Sequence, residues 1–500
     1  MVRLVCAVVW AGVAPVWAAD EKPPRLLVLL VVDQLPVRLL EAARPKLSGA
    51  LARLTGTSAF RADALYPYAS TYTAPGHALI ASGAPPSRSG IPANRWYEDD
   101  ALVACERPEQ LRVETLADIV RRGGGLVAAL SLKQRSAWML AGRDPSVVAW
   151  YDYPSSQFIG PEWLGRPATL AARKAERWEP LDPSYYATLW PDRQGFETDY
   201  FGLGILFPHP APALLPPKAF LATPGSGALL TDVVLLALDR LALGSDAHPD
   251  LLAVSYSNTD YIGHSFSAES WEALDALLRL DRDLERLFAR LDQSVGPERY
   301  AVALTSDHGV GSAPRIQIDG AALARRIQAA LAALSIPAAV HFSEPCLWLP
   351  AVLRRAPAQR RQALELALEM ARATPGIAAA YGWLEPDGLP DDAPFAELIR
   401  RSLVPGRSGD IYLLPAEDAL FAAREPPSRA TSHGRPYDSD RRVPLLAAGA
   451  GIAPGRMPAD ADMGQLAPTL ARLLNLKLPA AASSPVLSEA LQEPPPAAGP

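Results

Sequence analysis

Four times this sequence runs through a largely apolar stretch and stops on a charged residue. Leu26 to Val32 ends at Asp33, Gly125 to Leu132 at Lys133, Leu251 to Thr259 at Asp260, and Tyr300 to Ser306 at Asp307-His308-Gly309. A fifth run, Val443 to Ala448, follows His433 by a short loop. Apolar runs without alternation suit strands covered on both faces, as in a parallel sheet. Helix-period segments lie between them. In Glu269–Leu291 the residues Trp271, Leu274, Leu278, Leu284, Phe288 and Leu291 form one apolar stripe, and Thr115–Arg121 and Ala228–Leu241 are similar. Strands alternating with helices predict an α/β fold on a central, mainly parallel sheet flanked by helices. Ligands of such sheets bind beyond the carboxyl ends of the strands. Three strands deliver an acidic residue to that edge and a fourth delivers a lysine, which marks the edge as a candidate site.

Five hundred residues are ample for a large core, and 49% hydrophobic with 20% charged residues describe a folded protein. A net charge of −6 gives no reason to expect a nucleic-acid partner. Residues 1–19 combine Arg3, an apolar run from Leu4 to Val16 and small residues around Ala18-Ala19. That is the pattern of a secretory signal, too short to span a membrane, so a periplasmic or secreted protein without a membrane span is expected. Cys6 would leave with that segment. Cys105 and Cys346 remain, and the sequence leaves open whether they pair. The body of the chain is expected over residues 24–478, with two insertions. One, about 145–225, is rich in Trp, Tyr and Pro and is a candidate lid; the other, about 318–425, mixes helical and β-like runs and reads as a small α+β unit. The Pro/Ala/Ser-rich tail, 479–500, is expected to be disordered.

Two constellations carry chemistry. Thr73 precedes Ala74-Pro75-Gly76-His77 and a short apolar run, the pattern of a hydroxyl capping a helix. The unpaired first amides of a helix favour an anion. Elsewhere, three of the seven histidines lie beside glycines at strand ends: His264 in Asp260-x-x-x-His264, His308 in Asp307-His308-Gly309, and His433 in Ser432-His433-Gly434. With Asp33, Asp260 and Asp307 they make six nitrogen and oxygen ligands, suited to two Zn²⁺, with Mn²⁺ or Fe compatible with the same donors.

These motifs resemble the alkaline phosphatase superfamily, in its type I phosphodiesterase and nucleotide pyrophosphatase branch, and most closely the bacterial phosphate-irrepressible alkaline phosphatases with a Thr nucleophile. The resemblance runs from about Leu26 to Leu474 through Val-Val-Asp33-Gln, Thr-Tyr-Thr73-Ala-Pro-Gly-His, Gly90-Ile-Pro-Ala-Asn94, Ser131-Leu-Lys133-Gln-Arg135, Thr259-Asp260-Tyr-Ile-Gly-His264, Ser306-Asp307-His308-Gly and Ser432-His433-Gly. It implies an alkaline-phosphatase-like sheet. Asp260, His264 and His433 would hold one zinc, and Asp33, Asp307 and His308 the other together with the Thr73 oxygen. It further implies Thr73 as nucleophile and carrier of a phosphoryl group, with Asn94, Lys133 and Arg135 as catalytic, substrate-binding contacts to the phosphoryl oxygens. The Lys133-x-Arg135 pair resembles the mark of monoesterases, so small-molecule phosphate monoesters are the expected substrates. Two cations aimed at a dianion agree with that. The alternatives are a phosphodiesterase or nucleotide pyrophosphatase of the same fold, and an exported binding protein without turnover.

Other residues have ordinary expected roles. His77 is expected to support the site or pack, His209, His248 and His341 to face solvent, and Trp96, Trp138 and Trp150 to pack in the core or lid. Tyr151-Asp152 is a candidate lining of the pocket.

Overall fold

The computed structural model describes residues 23–336, 339–384, 388–421 and 429–492. Each apolar run becomes a strand of one ten-stranded sheet: β1 (Leu26–Val32), β2 (Phe60–Leu65), β3 (Val127–Ser131), β4 (Val147–Asp152), β5 (Gln157–Ile159), β6 (Asp250–Tyr256), β7 (Tyr300–Thr305) and β8 (Arg442–Gly449), with two-residue strands at 455–456 and 461–462 beside β2. The order is β2-β8-β7-β1-β6-β3-β4-β5. β1 pairs in parallel with β6 and β7, and β3 in parallel with β6 and β4. β8 runs antiparallel to both β7 and β2.

β1 explains why the runs do not alternate. Its residues divide by parity: Leu26, Val28, Leu30 and Val32 enter one core, and Leu27, Leu29 and Val31 another. On the first face pack the helices α4 (Pro224–Leu241), α5 (Asn258–Phe266) and α6 (Trp271–Ser294). On the second lie α1 (Thr73–Ser82), α2 (Leu116–Arg122), α3 (Gln134–Ala141) and α7 (Leu466–Leu473). A strand with helices on both sides has no wet face, so an apolar residue is favoured at every position.

The direction of the strands decides where the chemistry sits. Asp33, Asp260, Asp307 and Lys133 follow β1, β6, β7 and β3, so the parallel pairing carries them to one edge. β2 points the same way as β7, and α1 begins after it at that edge. Because β8 runs the other way, its start faces the edge, and His433 arrives there by preceding the strand.

Several boundaries differ from the sequence expectation. The stretch expected as an insertion over 145–225 opens with β4 and β5, which belong to the central sheet. After β5 the chain follows short helical turns, and Asp275 of α6 anchors it. The Asp275 carboxylate accepts from Trp178 Nε1 at 2.6 Å, the Leu181 amide at 2.7 Å and the Tyr186 hydroxyl at 2.9 Å. Residues 316–421 have their own apolar core and a four-stranded antiparallel sheet (341–343, 346–348, 411–415, 377–381) with helices at 320–333 and 357–372. The described part of the tail, residues 479–492, packs against the body. Leu487 and Ala490 are buried, and the Ser483 amide donates to the Gly83 carbonyl at 2.9 Å, so two apolar anchors outweigh the Pro/Ala/Ser composition. The expected signal segment, 1–19, and residues 493–500 lie outside the described residues. Cys105 and Cys346 are both buried free thiols in one apolar cluster. Among the described residues no helix is long and apolar enough to cross a membrane.

Candidate active site

The sheet edge gathers the histidines and carboxylates into two overlapping groups. In one, Asp260, His264 and His433 present ligand atoms within 4.8 Å of one another; in the other, Asp33, Asp260 and His308 do the same. His264 Nε2 lies 3.2 Å and His433 Nε2 3.5 Å from Asp260 Oδ1. His308 Nε2 is 3.5 Å from both Asp33 Oδ1 and Asp307 Oδ2. All six are buried. Asp260 and His264 share a face because they are four residues apart on α5, one turn of helix.

Main-chain carbonyls orient the imidazoles. Nδ1 of His264 faces Thr431 O at 2.9 Å, Nδ1 of His433 faces Thr71 O at 2.7 Å, and Nδ1 of His308 faces Gly309 O at 3.0 Å. A carbonyl only accepts, so each Nδ1 carries a proton and each Nε2 is the nitrogen turned toward the carboxylates. That is the metal-binding tautomer. Burial lowers His264, and drops His308 to about 3 against the pull of Asp307, so both rings are neutral near pH 7.

Three carboxylates this close cannot all ionise with equal ease. The strain falls on Asp33, which burial and the neighbouring Asp307 hold well above the usual range although Lys133 opposes them. Burial would raise Asp260 too, but His264 and Lys133 outweigh it and hold the group well below that range; His308 and His77 do the same for Asp307. Asp33 Oδ1, Asp307 Oδ2 and His308 Nε2 are buried without a hydrogen-bond partner. Neutral imidazole nitrogens beside unpartnered carboxylate oxygens are the donors a divalent cation takes, so the residues present fit a metal.

Thr73 opens α1 at its first helical position, and Tyr72, not Thr73, holds the cap. Its hydroxyl is therefore not the helix cap that the sequence suggested. Gly76 permits the close seat of α1: a Cβ there would come within 2.1 Å of the Asp307 carbonyl oxygen. Asn94 Oδ1 accepts from the Ala74 amide at 2.8 Å, which leaves its NH₂ as the free end. Thr73, Asn94, Lys133, Arg135, Asp260, His264 and His433 line one cleft of about 770 Å³, and Asp33, Asp307 and His308 lie fully buried beneath it. Arg135 is 3.9 Å from Glu106 across the same cleft.

The Lys133 ammonium lies 2.8 Å from Asp33 Oδ2 and 2.6 Å from Asp260 Oδ2, bridging the two groups at the cleft. Carboxylates packed this tightly attract the nearest long cation. His77 supports the site as expected: its Nδ1 is 2.8 Å from Thr73 O and 3.3 Å from Asp307 Oδ2. His248 is exposed, and Trp96 is buried as expected. His209 is a correction, since it is fully buried with Nε2 on Glu272 Oε1 at 3.0 Å, and no local composition signals that partner. His341 is half-buried and stacks on Tyr97 at 4.4 Å. Trp150 and the Tyr151-Asp152 pair line the cleft, joined by Tyr200, Lys218, Glu344 and Arg429, which sequence reasoning missed because their segments carry no motif.

Comparison with known proteins finds relatives that span most of the chain. Alkaline phosphatase PhoK of Sphingomonas sp. is 27% identical over 514 residues, covering 91% of this chain and 89% of that protein. Alkaline phosphatase PafA of Elizabethkingia meningoseptica is 26% identical over 534 residues, covering 94% of each. The crystal structure of wild-type PafA superposes with a TM-score of 0.85 at 24% identity, covering 94% of this chain and 99% of that one, and shares its α/β fold. The family model of type I phosphodiesterases / nucleotide pyrophosphatases matches residues 27–437. By that match, which spans the sheet edge from Asp33 to His433, the chain belongs to the type I phosphodiesterase / nucleotide pyrophosphatase family of the alkaline phosphatase superfamily.

Proposed function

We propose that this chain is an exported, metal-dependent phosphatase that hydrolyses phosphate monoesters through a covalent phosphothreonine on Thr73. One observation carries the reading: a threonine at a helix start, two overlapping Asp/His groups and the cations Lys133 and Arg135 meet at one cleft. The alkaline phosphatases among its relatives support the same reaction class. Asp260, His264 and His433 would hold one Zn²⁺, and Asp33, Asp307 and His308 the other, with the Thr73 oxygen beside them; Mn²⁺ or Fe suits the same donors. Bound there, the cations would supply Lewis-acid stabilisation of charge on the attacking and leaving oxygens.

The side chains do the rest. Thr73 gives its proton to solvent water and its oxygen attacks phosphorus, while the bond to the ester oxygen breaks and the departing alkoxide takes a proton back from solvent water, leaving as the alcohol. A second water then cleaves the phosphothreonine, restoring the hydroxyl and releasing inorganic phosphate. Asn94, through its NH₂, and Arg135, through its forked guanidinium, hold the non-bridging oxygens. Lys133 lowers the negative potential that Asp33 and Asp260 present to an incoming dianion, and leaves them if it grips the phosphoryl group directly. The aromatic segment after β5, carrying Tyr200 and Phe201 to the cleft, serves as a lid.

A monoester brings a dianion that uses both Lys133 and Arg135, whereas a diester brings one charge and a second bulky group. Turnover of an aryl phosphate should therefore exceed that of the bis-aryl phosphate. A large preference for the diester would replace this reading with a phosphodiesterase or nucleotide pyrophosphatase on the same fold.

A further inference from the structure

Gln34 follows Asp33 in a conformation that an ordinary residue avoids. Its φ is +62°, in the left-handed region, and it is only 3% exposed. Non-glycine residues persist there when their surroundings over-determine them, often at functional sites. The surroundings here are the two candidate metal groups. The Gln34 side-chain Nε2 donates to Asp260 Oδ1 at 2.8 Å, and its backbone N–H donates to Asp307 Oδ1 at 3.2 Å. The turn is stitched on both sides. Thr259 donates its hydroxyl to the Asp33 carbonyl, and the Leu35 amide donates to Ser306 Oγ at 2.8 Å. The side-chain Oε1 is buried without a partner. Among the described residues, Gln34 alone combines a left-handed non-glycine backbone with an orphaned buried side-chain atom.

The other side of the contact is Gly263, between Asp260 and His264 on α5. A Cβ on Gly263 would come within 1.9 Å of Gln34 Oε1. The glycine therefore leaves the space in which the amide lies.

We propose that Gln34 is a positioning residue that fixes Asp260 and Asp307 relative to each other, and that Gly263 is glycine in order to admit it. The proposal rests on the two-cation reading above. Asp260 accepts from Gln34 through the same oxygen that faces His264 and His433, so the amide sets the direction of the lone pair left for a cation. Groups that orient metal ligands are typically worth about 10–100-fold in metal affinity.

The test is a Zn²⁺ titration of the stripped full-length protein in competition with a chromophoric chelator, with the melting temperature of each stripped variant recorded alongside. Gln34→Gly removes the amide and relieves the backbone; Gln34→Ala removes the amide alone. Both should weaken zinc binding by about 10–100-fold. Gly263→Ala should weaken binding comparably when Gln34 is present, yet add little once Gln34→Ala has cleared the space, so the double-variant cycle is strongly non-additive. Wild-type protein that takes up two zinc ions, with Gln34→Gly binding them equally well, overturns the inference alone, as does a Gly263→Ala loss of equal size in both backgrounds. A purely structural role would lower the stripped melting temperature and leave zinc affinity unchanged, which also overturns it. Wild-type protein that takes up no divalent ion overturns the functional reading beneath it.

Discussion

Replacing Lys133 by Met should destabilise the metal-stripped protein much more than the zinc-loaded one. The ammonium sits 2.8 Å from Asp33 and 2.6 Å from Asp260 with its side chain 12% exposed, so it neutralises two buried carboxylates at once. Removing one partner of a buried pair costs about 3–5 kcal/mol, because the remaining charge is left uncompensated. Burial and the neighbouring Asp307 raise Asp33 above the usual carboxylate range, so it takes up a proton more readily once the lysine is gone, which puts the expected cost near the low end, about 3 kcal/mol. Met keeps the length and most of the apolar stem, so packing contributes little. Unfolding entropy of about 2.1 cal/mol/K per residue gives a chain of this length about 1 kcal/mol per degree, hence a fall in Tm of about 3 °C. With zinc bound, the same carboxylates are neutralised by dications, and the fall should shrink to under about 1 °C. Scanning calorimetry of stripped and reloaded protein, wild type against Lys133→Met, reads both values at neutral pH. An equal fall in the two states, or none in the stripped protein, would refute the argument that cations and the lysine answer the same charge.

Other outcomes follow from the same geometry. Thr73→Ala should lower phosphate monoester turnover by ~10³-fold or more while metal content by elemental analysis stays at the wild-type value; unchanged turnover removes Thr73 from the mechanism. Arg135→Ala should lower aryl phosphate turnover by ~10–100-fold, the loss of one charge-assisted contact of about 1.5–3 kcal/mol, and affect a bis-aryl phosphate much less; equal losses deny the arginine its role. A histidine whose folded value lies below its unfolded value takes up its proton more readily when unfolded, so it loses stability as pH falls from about 6.5 toward about 3. Stripped His308→Gln, which cannot take that proton, should lose less stability than stripped wild type between pH 7 and pH 4 in urea titrations, and parallel curves would count against it. Asp275→Ala strands the donors of Trp178, Leu181 and Tyr186, so protease cutting between residues 160 and 215 should accelerate by ~10-fold or more.

The central sheet was legible because burial on both faces favours long apolar runs, and β1, β6 and β7 are buried at every position and largely apolar. The edge was legible for a related reason: a charged residue closing such a run leaves the core at a defined place. Asp33, Asp260, Asp307 and Lys133 could thus be assigned to one neighbourhood without coordinates. What lay outside that logic was missed or misplaced. The β4 run Val147–Asp152 alternates buried and half-buried residues near the sheet margin, so it looked like the start of an insertion. The tail needed only Leu487 and Ala490 to dock, too few apolar residues to stand out. His209 owes its burial to Glu272, 63 positions away. The bridging seat of Lys133 follows from the convergence of two carboxylates, and the left-handed turn at Gln34 is stitched by contacts to the segments that follow β6 and β7. Neither is written in its own segment.

The central claim is that side chains from four separate segments of the chain hold two neighbouring cations beside one threonine oxygen. Anomalous diffraction at the zinc edge from crystals of the zinc-loaded protein tests it most directly. Two peaks are predicted, one among Asp260, His264 and His433 and one among Asp33, Asp307 and His308, with Thr73 Oγ1 in contact with the latter. A single peak, peaks elsewhere, or Thr73 Oγ1 out of contact with both would contradict it.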